Sequence, residues 1–258
     1  MYIPRLNKVE DRETIRKFVS DVGFATLVTP SGSGLNGLKV THLPLLYVDS
    51  PGEGVISGHM AKADDHWKAF DGETESVVIF QGPNAYVSLE WYESKPAVPT
   101  WNYSVVHMRG AVTATAIHDP EWLIGHVDEL VDFHEVGIGD GSKEASYEGI
   151  RDKLLGGIVG FHMAVETVEA KFKMSQNRSE EDRRRVAEKL GSSGDGGSEA
   201  VADLLRDGVP LQPNLLLMEK ELWGRTSVWL PLLRGCRILL RWGRIPTTSG
   251  LLECLHRV

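Results

Sequence analysis

Residues 171–178 read Lys-Phe-Lys-Met-Ser-Gln-Asn-Arg, so two Lys, one Arg, a Ser, a Gln and an Asn are gathered directly after the apolar alternation of 158–168. Cationic and amide groups at the exit of a core strand can meet a phosphate or the polar rim of a ring system; the plainer reading is a solvated loop and helix start. A second such place is Ile56-Ser57-Gly58-His59-Met60-Ala61-Lys62. There a strand is expected to end near Ser57 and a helix to begin near Ala61, with Gly58 allowing close backbone approach. Free N–H groups at a helix start, with a hydroxyl, an imidazole and an ammonium, would make an anion site; otherwise this is an ordinary strand-to-helix turn. Thr41-His42 is a polar pair in an apolar strand, able to meet the edge of a flat ring or to be hydrogen-bonded within the core. In Val98-Pro99-Thr100-Trp101-Asn102-Tyr103 two aromatics bracket an Asn, and Gln81 ends a strand before Gly82-Pro83. Such groups line a ring or an interface, or simply pack.

Other chemistries find little support. No Rossmann-type Gly-x-Gly-x-x-Gly opens a helix, because the one run of that spacing, Gly32 to Gly37, falls in the turn between two expected strands; there is no phosphate-loop Gly-Lys-Ser/Thr, no His-Glu-x-x-His and no Gly-x-Ser-x-Gly elbow. Cys236 and Cys254 are the two cysteines of the 258-residue chain, so neither a disulfide framework nor a cysteine metal site supports the first 235 residues. His134-Glu135 at a helix end suits a surface or a dimer contact better than a zinc site. The net charge of −8 argues against a general electrostatic grip on nucleic acid. Residues 208–258 carry +4 and three Trp, leaving −12 for the rest. No signal-peptide pattern opens the sequence and no apolar run reaches membrane-spanning length, so a cytoplasmic protein is expected.

These groups must be positioned by a mainly β fold. Helices are expected at 11–20, 61–70, 119–135 (N-cap Asp119, then Pro120), 147–155 and 179–190. Strands are expected at 24–29, at 38–48 with Pro44 marking an edge or bulge, at 55–59, 77–80 and 85–88, and as long runs at 105–117 and 158–168. Ser31-Gly32-Ser33-Gly34 is a turn and 137–142 a Gly-rich loop. The pattern predicts an antiparallel barrel with peripheral helices. It divides the chain into a domain at 1–190, a Gly/Ser-rich linker and short helix at 191–206, and an atypical basic, Trp-rich tail of low order at 207–258.

Taken together, Met1-Tyr2-Ile3-Pro4, Phe24-Ala25-Thr26-Leu27-Val28, Thr41-His42-Leu43-Pro44-Leu45, Gly58-His59-Met60-Ala61-Lys62-Ala63, Phe80-Gln81-Gly82-Pro83-Asn84-Ala85-Tyr86-Val87-Ser88, the 98–103 segment and the 171–178 segment resemble the PaiB family of FMN-binding negative transcriptional regulators. The likeness runs in order from Met1 to about Arg206. It implies an FMN-binding split β-barrel that pairs as a homodimer with flavin at the subunit interface, similar in plan to pyridoxamine-phosphate oxidases and flavin reductases. On that plan Lys62 pairs with the flavin phosphate, with Ser57, Gly58 and His59 beside it. Thr41 and His42 lie near the isoalloxazine edge, and Gln81 bonds the ring or ribityl chain. Trp101, Asn102, Lys173, Gln176 and Arg178 close the pocket. Three roles follow: a flavin-binding regulator, with DNA binding implied by the family name alone; a flavin-dependent oxidoreductase acting on a small molecule; or a haem-handling barrel, for which His134 and His162 are the loose ligand candidates.

Overall fold

The computed structural model describes residues 1–32, 37–48, 50–114, 119–135, 150–151 and 153–208. The 137–142 loop, residues 147–149 and 152 of the helix expected at 147–155, and the 207–258 tail beyond Gly208 lie outside the described residues.

The first helix, α1 (Arg12–Val22), begins where Asp11 caps it: the carboxylate accepts from Thr14 N at 2.8 Å and from Thr14 Oγ1 at 2.6 Å. It buries Ile15, Phe18 and Val19 and ends at Gly23, whose φ of 59° lets its N–H reach Val19 O. The strands follow as β1 (Lys8–Val9), β2 (Phe24–Pro30), β3 (Leu38–Pro44), β4 (Leu46–Val48), β5 (Val55–Ala61), β6 (Asp71–Val87), β7 (Thr100–Ala114), β8 (Ile158–Ala164) and β9 (Thr167–Lys173). All pairings are antiparallel, in the order β3-β2-β6-β7-β8-β5-β4, with β9 on β7 and β1 on β9. This is the mainly antiparallel, split-barrel architecture the sequence implied, and its end strands are not hydrogen-bonded to each other. The Pro44 strand, β3, is an edge, where a missing N–H removes no ladder bond.

The split lies along β7. Residues 103–109 pair with β9, whereas 112–114 pair with β8. The single strand expected at 158–168 is therefore two: the chain turns off at Val165, whose N–H bonds Gly54 O, and Glu166, whose N–H bonds Arg109 O. Gly110 stands at the change of partner. A Cβ there would lie 2.1 Å from Ala164 O, so only glycine admits the crossing backbone.

Two other expectations change. The strands foreseen on either side of Gly82-Pro83 are one strand, β6, with a register shift between Gln81 and Asn84. The helix foreseen at 61–70 reduces to one 3-10 turn, His66–Ala69. β5 instead continues to Ala61, paired with Ile158, and Asp64 Oδ1 accepts from His66 N, a local bond that competes with helix.

Inward side chains of all the longer strands make one core, including Leu27, Ile56, Val78, Phe80, Val106, Met108, Phe161 and Met163. Outside it lies α2 (Pro120–Glu135), capped by Asp119 as expected, whereas a helical pair, α3 (Glu180–Gly191) and α4 (Gly196–Asp207), adds Val186, Leu190, Val201 and Ala202 to it. α4 is a three-turn helix that buries Val201 and Ala202.

Candidate functional site

The forecast residues fall in four places. The first is the turn after β5. Lys62 is exposed and has no ion-pair partner among the described residues. The turn that carries it is tightly tied: Lys62 N donates to Gly157 O at 2.8 Å, Trp67 Nε1 donates to Lys62 O at 3.1 Å, and Asp64 N donates to Ala61 O at 3.0 Å. Thr41, on the inner side of β3, joins this turn through His66 Nδ1 at 2.7 Å and Asp64 Oδ2 at 3.2 Å. Burial holds the His66 pKa below its ordinary value, although Asp64 favours the charged form. Lys39 and Asp65 neutralise each other at 2.7 Å. The expected helix N-terminus is therefore absent, and the N–H groups of Lys62, Asp64 and His66 are engaged. What remains for an anion is a tied turn presenting the Lys62 ammonium.

The second place is the outer face of the β3-β2-β6-β7-β9 sheet. Alternation puts Leu38, Val40 and His42 of β3 outward, with Phe24 and Val28 of β2, Val77, Ile79 and Gln81 of β6, and Trp101, Val105 and His107 of β7. Leu38, Phe24 and Val40 are 62%, 60% and 54% exposed, an uncovered apolar bed on an otherwise well-buried sheet. His42, bonded to Thr26 Oγ1 at 2.9 Å, and exposed Gln81 offer polar edges to it. Trp101 packs edge-on against Tyr86 with ring centroids 5.8 Å apart.

The third place is structural in character. Buried Asn102 and Ser175 bond each other at 3.1 Å, with Ser175 at a φ of 55°. Lys173 Nζ donates to Thr100 Oγ1 and to Trp101 O, and burial lowers its pKa. Gln176 donates to Phe172 O and accepts from Met174 N. Arg178 lies 4.3 Å over the Tyr92 ring and reaches Pro96 O at 3.3 Å. Asn102, Lys173, Gln176 and Arg178 thus bind the chain to itself, holding the 88–99 loop beside Trp101. The buried Asp182 carboxylate completes that loop by accepting from Ser94 Oγ and from Glu93 N, which keeps it below the usual carboxylate range.

In the fourth place Ser57 and His59 face α2, while Gly58 lies inward, where a Cβ would meet Leu45 and Phe161 at 2.5 and 2.7 Å. His59 meets His126 edge-to-face at 5.5 Å, and His126 stacks on Trp122. The sequence reading overlooked this grouping. Its signal was the Trp122, His126, Glu129 spacing, which aligns three functional side chains on one helical face. Among the described residues no three His, Cys, Asp or Glu side chains gather as a metal site.

An exposed ammonium on a tied turn suits a phosphate, and an exposed apolar sheet with polar edges suits a flat ring; together on a split antiparallel barrel they define a flavin-type cofactor protein. A family model described as "Putative FMN-binding domain" matches residues 1–167, and the chain belongs to that family, with FMN as its cofactor. The chain is 35% identical to "Protease synthase and sporulation protein PAI 2" of Bacillus subtilis, over 82% of this chain and 100% of that one. It is 27% identical to an uncharacterized protein of Emericella nidulans over 80% and 97% of the two chains. Among solved structures, the FAD and Heme binding protein from Mycobacterium smegmatis matches 68% of this chain and 78% of its own at 12% identity, with a TM-score of 0.47.

Proposed function

We propose that the protein is a homodimeric flavin-responsive regulator. Two outer β3-β2-β6-β7-β9 faces meet, and each flavin lies between them with its phosphate toward Lys62. One observation carries this reading: the uncovered apolar bed of Phe24, Leu38 and Val40, which water alone does not favour and a second copy would bury. His42 and Gln81 would supply hydrogen bonds to the ring, and bound FMN would supply reversible two-electron chemistry. The cytoplasm is the compartment this reading assumes. The regulatory part rests on the resemblance to PaiB-type regulators; the Bacillus relative is named for protease synthesis and sporulation.

A second reading, a flavin-dependent oxidoreductase, has its own observation. The Arg183-Arg184-Arg185 run gives little free charge for DNA. Arg184 is paired with Glu181 at 2.7 Å and with Glu188, and Arg185 with Glu93 at 3.1 Å. The deciding experiment loads the protein with FMN, removes the excess, and records the visible spectrum before and after NADH or NADPH. Retained flavin that neither nucleotide reduces, with salt-sensitive and sequence-selective DNA binding, supports the regulator. Rapid reduction without DNA binding supports the oxidoreductase. No retained flavin on a folded dimer overturns both.

A further inference from the structure

A cavity of about 530 Å³ lies between α2 and the outer faces of β5 and β8. Val55, Ser57 and His162 form its sheet wall, and Trp122, His126 and Glu129 its helix wall. That volume is within the range of small-molecule sites. The FMN reading draws on it only through Ser57.

Its chemistry follows from three observations. Trp122 and His126 are stacked with their planes 2° apart and centroids at 5.2 Å, so the buried imidazole backs the indole and Trp122 is the aromatic surface left to a ligand. Glu129, one turn beyond His126, has no ion-pair partner among the described residues, and among them no Lys or Arg lines the cavity. His126 is 4% exposed and both its ring nitrogens lack a partner, as does Nδ1 of His59. Burial, reinforced by neighbouring His59, lowers the His126 pKa to about 4, so this imidazole is neutral at physiological pH. The carboxylate is then the one permanent charge in the lining. An anion would be repelled by Glu129 with no cation to offset it. A metal ion would not find three ligands gathered among the described residues. A planar cation is attracted by both the carboxylate and the Trp122 ring.

We propose that the cavity under α2 binds a small planar organic cation, an amidinium or an aromatic amine, with its ring on Trp122 and its charge at Glu129. Apart from Ser57 its lining takes no part in the proposed FMN bed, and the site does not depend on flavin being bound.

The test titrates benzamidine, and its neutral isostere benzamide, into the full-length protein with and without FMN, followed by calorimetry. Glu129→Gln, which preserves side-chain volume, is measured beside the wild type, with a thermal melt to show that it is folded. Benzamidine is expected to bind at least about tenfold more tightly than benzamide, as a charge-assisted contact gives. Glu129→Gln should remove that preference and leave FMN affinity unchanged. Equal binding of the two probes overturns the proposal. So does an undiminished benzamidine affinity in folded Glu129→Gln, or no benzamidine binding up to about 10 mM.

Discussion

Lys62 is the side chain on which the phosphate placement depends, and its neighbour Asp64 modulates it. The Lys62 ammonium has no partner among the described residues, whereas Asp64 lies two residues away in the same tied turn. Lys62→Ala is expected to weaken FMN binding about tenfold, the scale of one charge-assisted contact at a partly solvated site. Riboflavin, which lacks the phosphate, should bind both proteins equally, and parallel fluorescence titrations would show it. If Lys62→Ala and wild type bind FMN alike, the phosphate lies elsewhere. Asp64→Asn has the opposite expected sign. Its amide oxygen can still accept from His66 N, held at 2.9 Å in the native turn, while a like charge beside the phosphate is removed. FMN affinity should rise by roughly threefold with riboflavin unchanged. That Lys62 and Gln81 stand exposed follows from residue type and strand position alone. The contacts of Asn102, Lys173 and Arg178 were not legible in this way, because their partners Ser175, Thr100 and Tyr92 each lie over 70 residues away in the chain, and that of Gln176 was not, because its bond to Phe172 O depends on the local turn at Ser175.

At the level of elements, β7 and α2 each carry a prediction. β7 serves two partners only because Gly110 lets the crossing backbone approach. Gly110→Ala would press a methyl group onto Ala164 O, and backbone cannot rotate away as a side chain can. A loss of about 3 kcal/mol is expected in urea unfolding; a loss under about 0.5 kcal/mol would show that the two halves of the sheet can part freely. α2 holds His126 neutral against His59, with Glu129 and His162 on the cavity side. Its folded pKa of about 4 lies below its ordinary value of 6.5, so the unfolded chain binds the extra proton between those values. Stability from this group is complete above about pH 6.5 and falls as pH drops toward 4, by on the order of 3 kcal/mol. His126→Phe should flatten that slope in unfolding measured from pH 7 to 4.5. The starts of α1 and α2 were legible, since the Asp11 and Asp119 caps and apolar spacing are local signals, whereas the 61–70 segment lacks the α-helix that its composition suggests. The 158–168 run was misread as one strand because the alternation persists through the turn at Val165, and only the long-range bonds to Gly54 and Arg109 reveal the break.

At the scale of the whole molecule, the antiparallel β class and its likeness to a flavin family were readable from ordered short segments, whereas the division of labour between sheet faces was not. Alternation shows which residues share a face. It cannot show that the Ser57 face is covered by α2 while the Val40 face is left bare, because that depends on where a helix over 60 residues later comes to rest. That bare face makes the dimer the most consequential expectation. Val40 is 54% exposed and directly opposite Val28 in the β2–β3 register, in an apolar row that continues to Val77. In an isolated chain, Val40→Asp exchanges one exposed side chain for another on an edge strand and should leave the melting temperature within about 3 °C. In a dimer built on this face the same change buries two unpaired carboxylates, one from each copy, and should weaken association by more than about 100-fold. Sedimentation equilibrium of wild type and Val40→Asp separates the cases. A dimer that becomes a folded monomer and loses FMN places both the subunit contact and the flavin on this face. A dimer that survives the substitution moves the contact to another surface, and FMN retained by a true monomer would mean that one copy suffices to hold the cofactor.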